Sequence, residues 1–361
     1  MSQNLTEKGR NLNIELLRII SMLMIIAHHL VVHSSSPLLS SLWTNDPLKI
    51  LIHQSFWLSG RVGVAIFVLI TGYFLVNKTS KVSSALKLIV KTFIYSVAVY
   101  IAARFIFNFE HVSHKLTGVL VPITSTTYWF ISCYLGLYIL APFINKLIFA
   151  LNQKQHLILI IILSLEFLIP SNYKVFEFYP LLVFIYLYLI GAYLRLYDLK
   201  LSLKKSLLCL FLVFILSLLI FTYLNFKHIE KDTLYDFSKL CSLQNPLVVL
   251  LAVFFLMAFL RLKLQKLSFI GTISSSVFSV YLIHDNPAFR YGLWHQLLNI
   301  REHFLEDPSY SYLGYALLVI ISIFSLCCLF DLILSMLLKR PFAKLNSLCL
   351  GLDKKCEAFF R

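Results

Sequence analysis

Long apolar stretches alternate with short polar ones along nearly the whole chain. A helix needs roughly 20 mostly apolar residues to cross the ~30 Å hydrocarbon layer of a membrane. Stretches that approach or reach that length lie at 14–33, 62–77, 84–107, 128–150, 156–170, 179–197, 205–224, 245–261, 272–287 and 312–338, the fifth and ninth being short. The pattern predicts an all-α, polytopic integral membrane protein of about ten transmembrane helices. The longest connections it leaves are 34–60, 108–127, 225–244 and 288–311. They contain Trp43, Trp57, Trp294 and His295, residues expected in the aromatic belts at the membrane surface.

Composition supports this picture. With 59% hydrophobic residues and a mean hydropathy of +0.81, the 361-residue chain carries more apolar surface than one soluble core can hide. The net charge of +15 would point to nucleic acid in a soluble protein, but its distribution gives another reason. If the N-terminus is cytoplasmic, the inward-facing segments hold 21 of the 32 basic residues and the outward-facing ones 10, with Arg18 inside the first helix. That bias follows the positive-inside pattern and places both termini in the cytoplasm. No nucleic-acid partner is expected; the bilayer is.

The first apolar stretch is read as a retained helix and not a secretory signal, because it carries Arg18, His28 and His29 and lacks a small-residue cleavage site. Without a long linker or a fixed-period repeat, residues 1–361 read as one membrane domain, with a lead at 1–13 and a basic cytoplasmic tail at 339–361. The seven cysteines show no C-x-x-C spacing, which argues against a disulfide scaffold or a zinc site, and no metal is expected.

Titratable side chains are costly inside a bilayer and therefore mark candidate sites. Arg18 and His29 are eleven residues apart, which at ~100° per residue puts both on one face of the first helix, roughly 16 Å apart along its axis. His28 points to another side. A neutral imidazole suits general-base chemistry, and a guanidinium suits an anion or an oxyanion. The alternative is structural: Arg18 pairs with Glu15 one turn away, and His29 bonds a neighbouring helix. Gly60 and Gly63 permit close helix approach, with Arg61 at the outer mouth of the second helix. Near 272–287, Tyr281 and His284 share a helix face, and Asp285 with Pro287 ends that helix. His284 is either a second polar group of a site or a capping histidine. Lys78, Lys81, Lys87 and Lys91 lead into the third helix, and orientation bias or an anionic cytoplasmic cofactor such as coenzyme A accounts for them.

Taken in order, Asn13-Ile14-Glu15-Leu16-Leu17-Arg18 with His29, Gly60-Arg61-Val62-Gly63-Val64 to Thr71-Gly72-Tyr73, Tyr128-Trp129-Phe130 to Leu140-Ala141-Pro142, and Ile270-Gly271 to Tyr281-Leu282-Ile283-His284 resemble the membrane acyltransferase-3 family. The resemblance covers essentially the whole chain. It implies O-acylation, by default acetylation, of a capsular, exopolysaccharide or other envelope glycan, with acetyl-CoA as donor, by a multi-pass protein of the plasma membrane. It implies that Arg18 and His29 are required for activity and that Lys87 and Lys91 stand where the family carries basic residues, more often arginines. Thr71 replaces a more usual serine. No fused extracytoplasmic hydrolase-like domain is expected. Arg61, Tyr281 and His284 are further candidates for substrate or oxyanion contacts. The rival reading is a transporter or flippase of a lipid-linked glycan or small solute, against which no paired halves with matching broken helices are found. The oligomeric state is left open.

Overall fold

The computed structural model describes residues 11–34, 40–109, 116–125, 127–168, 180–199, 201–228, 240–264 and 268–360. Among these the regular structure is helical, and an apolar helix stands at each of the ten predicted stretches. These are α1 (Leu12–His33), α3 (Pro47–Leu75), α4 (Val82–Ile101), α6 (Trp129–Ala150), α7 (Gln153–Leu168), α8 (Pro180–Leu196), α9 (Leu203–His228), α10 (Pro246–Arg261), α11 (Ser268–His284) and α14 (Ser309–Phe360). Short helices α2 (Ser40–Asn45), α5 (Leu116–Leu120), α12 (Pro287–Tyr291) and α13 (Ile300–Glu306) lie between them. Six of the described helices are long and apolar enough to cross a membrane; α7, α8, α10 and α11 are apolar but shorter. Residues 1–10 of the expected lead and 229–239 of the expected 225–244 connection lie outside the described residues.

The largest correction concerns the second span. Expected from residue 62, its helix begins at Pro47, so Arg61 sits at the middle of α3 and not at an outer mouth. The hydropathy is broken by Lys49, His53 and Gln54, yet all three are buried because each meets a partner. The Lys49 ammonium is 3.9 Å from Asp46, His53 Nδ1 is 3.3 Å from the Tyr312 hydroxyl, and Gln54 exchanges two 3.1 Å hydrogen bonds with Asn225 of α9. Buried polar groups are tolerated when paired in this way. Two tryptophans expected at the membrane surface are also interior: Trp43 belongs to a cluster with Ile50, Phe304 and Tyr312, and Trp294 is fully buried. The connection 288–311 is largely helical, and the last helix runs on through the predicted tail to Phe360.

The chain packs as two compact units. The first comprises 1–67, 200–285 and 290–328; the second comprises 68–199, 286–289 and 329–361. In the first, α1 lies against α10 and α11, and α9 against α10. Asn13 at the start of α1 donates from its amide to the Leu262 carbonyl (2.5 Å) just beyond α10. The approach of α3 to α1 depends on glycine: a Cβ at Gly60 would fall 2.1 Å from His28 Cβ, and one at Gly63 2.6 Å from the Ser21 carbonyl oxygen.

In the second unit, α8 contacts both α6 and α7. Gly72 and Gly191 mark a reciprocal close crossing of the end of α3 with α8, where added Cβ atoms would each meet a backbone carbonyl oxygen at 2.3 Å. The N-terminus of α4 has no side-chain cap of its own. Asp353 of α14 supplies one, accepting from the Ser83 amide (2.9 Å) and hydroxyl (2.6 Å). Some loss of water raises the Asp353 carboxyl, but the Ser83 bonds outweigh it and hold the group below the usual carboxylate range.

Candidate active site

The polar chemistry of the first unit gathers along the seam between α1 and α11. The two helices run parallel there: Glu15 meets Ser274 near their starts, and His29 meets His284 near their ends. Glu15 is buried; it takes the Ser274 hydroxyl proton in a hydrogen bond and accepts from the Arg18 guanidinium at 2.9 Å. Arg18 therefore pairs one turn away, as its structural reading expects, while its side chain remains 36% exposed. The two neighbouring histidines diverge, as helical geometry requires. His28 faces α3, where its Nδ1 is 2.7 Å from the Trp57 carbonyl oxygen, and His29 faces α11.

The bonds around His29 fix where its proton resides. His284 Nδ1 lies 2.6 Å from the Val280 carbonyl oxygen, one turn back in α11. A carbonyl only accepts, so in the neutral ring Nδ1 carries the proton and Nε2 a lone pair. That lone pair faces His29 Nδ1 at 2.9 Å, and His29 Nδ1 must then be the donor. The remaining nitrogen of His29, Nε2, is left unprotonated, the form a general base needs. Asp285 supports the same end of the seam: its Oδ1 is 3.8 Å from His29 Nδ1 and accepts from His33 Nε2 at 3.1 Å. The Arg290 guanidinium approaches the same oxygen at 3.6 Å.

The other predicted residues fall as follows. Tyr281 stands beside the pair, its ring centroid 6.5 Å from His29 and 6.3 Å from His284. Arg61 belongs to the same unit, on α3 next to Gly60, where that helix meets His28. Among the described residues its Nε is buried without a hydrogen-bond partner, as is the indole Nε1 of Trp57 one turn earlier. Lys87 and Lys91 belong to the second unit. Lys87 is half-buried. Lys91 lies 3.5 Å from buried Asp331, which also accepts from the Tyr95 hydroxyl, so its charge is already met within the fold. In that unit Lys78 and Lys146, with Thr79, Ser80 and Asn145, line a cleft of about 360 Å³. Sequence reasoning passed over His33, Asp285 as a partner of His29, and Lys146. The i, i+4 spacing of His29 and His33 was the available signal for the first of these.

A model of the acyltransferase-3 family, described as an acyltransferase domain, matches residues 11–332. The chain belongs to the acyltransferase-3 family. No curated protein and no solved structure matches it. As an acyltransferase-3 member with a series of long apolar helices, the protein is a membrane acyltransferase. The match spans α1 through the first part of α14, and so includes the α1–α11 seam.

Proposed function

We propose that this acyltransferase-3 protein moves an acyl group, acetyl by default, from cytoplasmic acyl-CoA to a hydroxyl of a capsular, exopolysaccharide or other envelope glycan at the plasma membrane. The observation that carries the reading is the proton order of the Val280–His284–His29 chain, which leaves His29 Nε2 as a base inside an apolar bundle. In the reaction, His29 Nε2 takes the proton of the acceptor hydroxyl as its oxygen attacks the thioester carbonyl. The tetrahedral intermediate collapses with cleavage of the C–S bond, and His29 returns the proton to the departing CoA sulfur. His284 and Asp285 would stabilise the intervening imidazolium.

Arg61 suits the developing oxyanion, because its buried Nε–H has no partner among the described residues to give up. Arg18 is exposed enough to meet a phosphate of the donor while paired with Glu15. Lys87 is kept as a second cation for the donor; Lys91 is a weaker one, its charge being shared with Asp331. The Lys78–Lys146 cleft offers the same anion-binding chemistry in its own unit. Membership of the family favours acyl transfer over the transport of a lipid-linked glycan.

The test is the O-acetyl content of the surface polysaccharide, read by NMR in a deletion strain carrying wild-type protein or His29→Ala. Acetyl signals should return with wild type alone, while the variant inserts and accumulates normally. Full acetylation by His29→Ala would refute the base assignment. Loss of surface polysaccharide with accumulation of its lipid-linked precursor would move the reading to transport.

A further inference from the structure

The residues that end α1 and α11 form a second constellation around the same histidine. His29 and His33 are one turn apart on α1, and Asp285 follows directly on α11. One ligand atom from each lies within 4.8 Å of the others. His33 Nε2 is 3.1 Å and His29 Nδ1 3.8 Å from Asp285 Oδ1, and His284 Nε2 stands 2.9 Å from His29 Nδ1. Nitrogen and oxygen ligands about 2.0–2.2 Å from a tetrahedral zinc ion sit about 3.3 Å from one another. The observed separations of 2.9, 3.1 and 3.8 Å bracket that value, so small side-chain rotations would close the set.

We infer that His29, His33 and Asp285, with His284 as a fourth ligand, form a binding site for a divalent transition metal of the zinc class, and that its occupation switches the base off. Three features point to metal beyond proximity. The donors are imidazole and carboxylate, the set that zinc prefers where thiolates are absent. His284 already presents an unprotonated Nε2 to the cluster while its Nδ1–H is held by the Val280 carbonyl, the outer bond that orients metal-bound histidines. And His33 keeps 19% of its side-chain surface exposed at the end of the seam, which gives an ion a way in. Arg290 shares the Asp285 oxygen at 3.6 Å, but its side chain is 37% exposed and able to turn outward.

The coupling to catalysis is tautomeric and rests on the function proposed above. Ligation through His29 Nδ1 and His33 Nε2 displaces the protons those atoms hold. In neutral rings the protons reappear on His29 Nε2 and His33 Nδ1, so no net proton is lost. His29 Nε2 then carries a hydrogen where the acceptor hydroxyl needs a lone pair. Zinc would inhibit without entering the substrate path.

Binding can be measured without any activity. Purified protein in detergent, desalted after exposure to Zn²⁺, should retain one ion per chain by elemental analysis, and Co²⁺ should give the intense visible absorption of a four-coordinate site. His33→Ala and the milder His33→Gln should each weaken Zn²⁺ binding at least tenfold, whereas His303→Ala, remote in sequence, should not. Equal Zn²⁺ affinity in wild type and both His33 variants, or a six-coordinate cobalt spectrum, overturns the site. In the transfer assay, Zn²⁺ should inhibit wild type and act at least tenfold more weakly on His33→Ala. If zinc binds as expected but the protein transfers no acyl group, the metal site stands and the acyl-transfer reading falls. If zinc binds and transfer proceeds unaltered, the switch is wrong.

Discussion

His29 cannot set its own protonation state. An isolated neutral imidazole interconverts between two tautomers, and only one leaves Nε2 able to receive a proton. His284 selects that one by accepting from Nδ1, and the Val280 carbonyl in turn fixes His284. In the proposed reaction His284 is therefore a positioning residue. Replacing it with alanine should lower kcat roughly 100-fold with little change in the donor's KM, because binding contacts are untouched. Glutamine should recover part of the loss, since its amide oxygen can accept the same hydrogen bond. An unchanged kcat in His284→Ala would remove His284 from the mechanism. Lys91 shows the opposite lesson: its place in the sequence suits an anion site, but the fold gives it Asp331 and Tyr95 as neighbours.

At the scale of elements, the position of His28 and His29 depends on how closely α3 approaches α1. Gly60 allows that approach by having no side chain where His28 begins. The atom in the way is a Cβ, which cannot swing aside as the end of a long side chain can. Gly60→Ala should force the helices apart and cost about 1–3 kcal/mol, seen as a lower thermal midpoint in detergent. Gly271→Ala is the control, because none of the described residues lies within 4 Å of the added atom there. Equal midpoints for the two variants would show that the α1–α3 contact does not depend on Gly60. The length of α3 belongs to this scale too: Lys49, His53 and Gln54 break its hydropathy, but Asp46, Tyr312 and Asn225 satisfy them.

For the whole molecule, orientation follows from charge. With 21 of 32 basic residues in alternate segments, both termini are expected in the cytoplasm. α1 and α11 run parallel, as members of an alternating series an even number of steps apart do, whichever side the termini occupy. Reporter fusions at residue 1 and residue 361 should both be active only as cytoplasmic fusions. An externally active fusion at one end alone would mean an odd number of crossings, and at both ends an inverted protein.

Hydropathy by itself determined the helical class and the location of ten apolar helices, six of them long enough to cross a membrane, because lipid imposes a length and a composition on a span independent of its neighbours. Motif order likewise determined the family. Helical periodicity separated His28 from His29 and placed Arg18 within reach of Glu15, since those relations are local. Only the tertiary structure decided what each polar residue meets. It buried Trp43 and Trp294, moved Arg61 to mid-helix and gave Lys91 its acid. It also set His284 and Asp285 against His29 across more than 250 positions. The physical reason is that a buried donor or charge must find a partner somewhere, and the sequence states the need but not the neighbour.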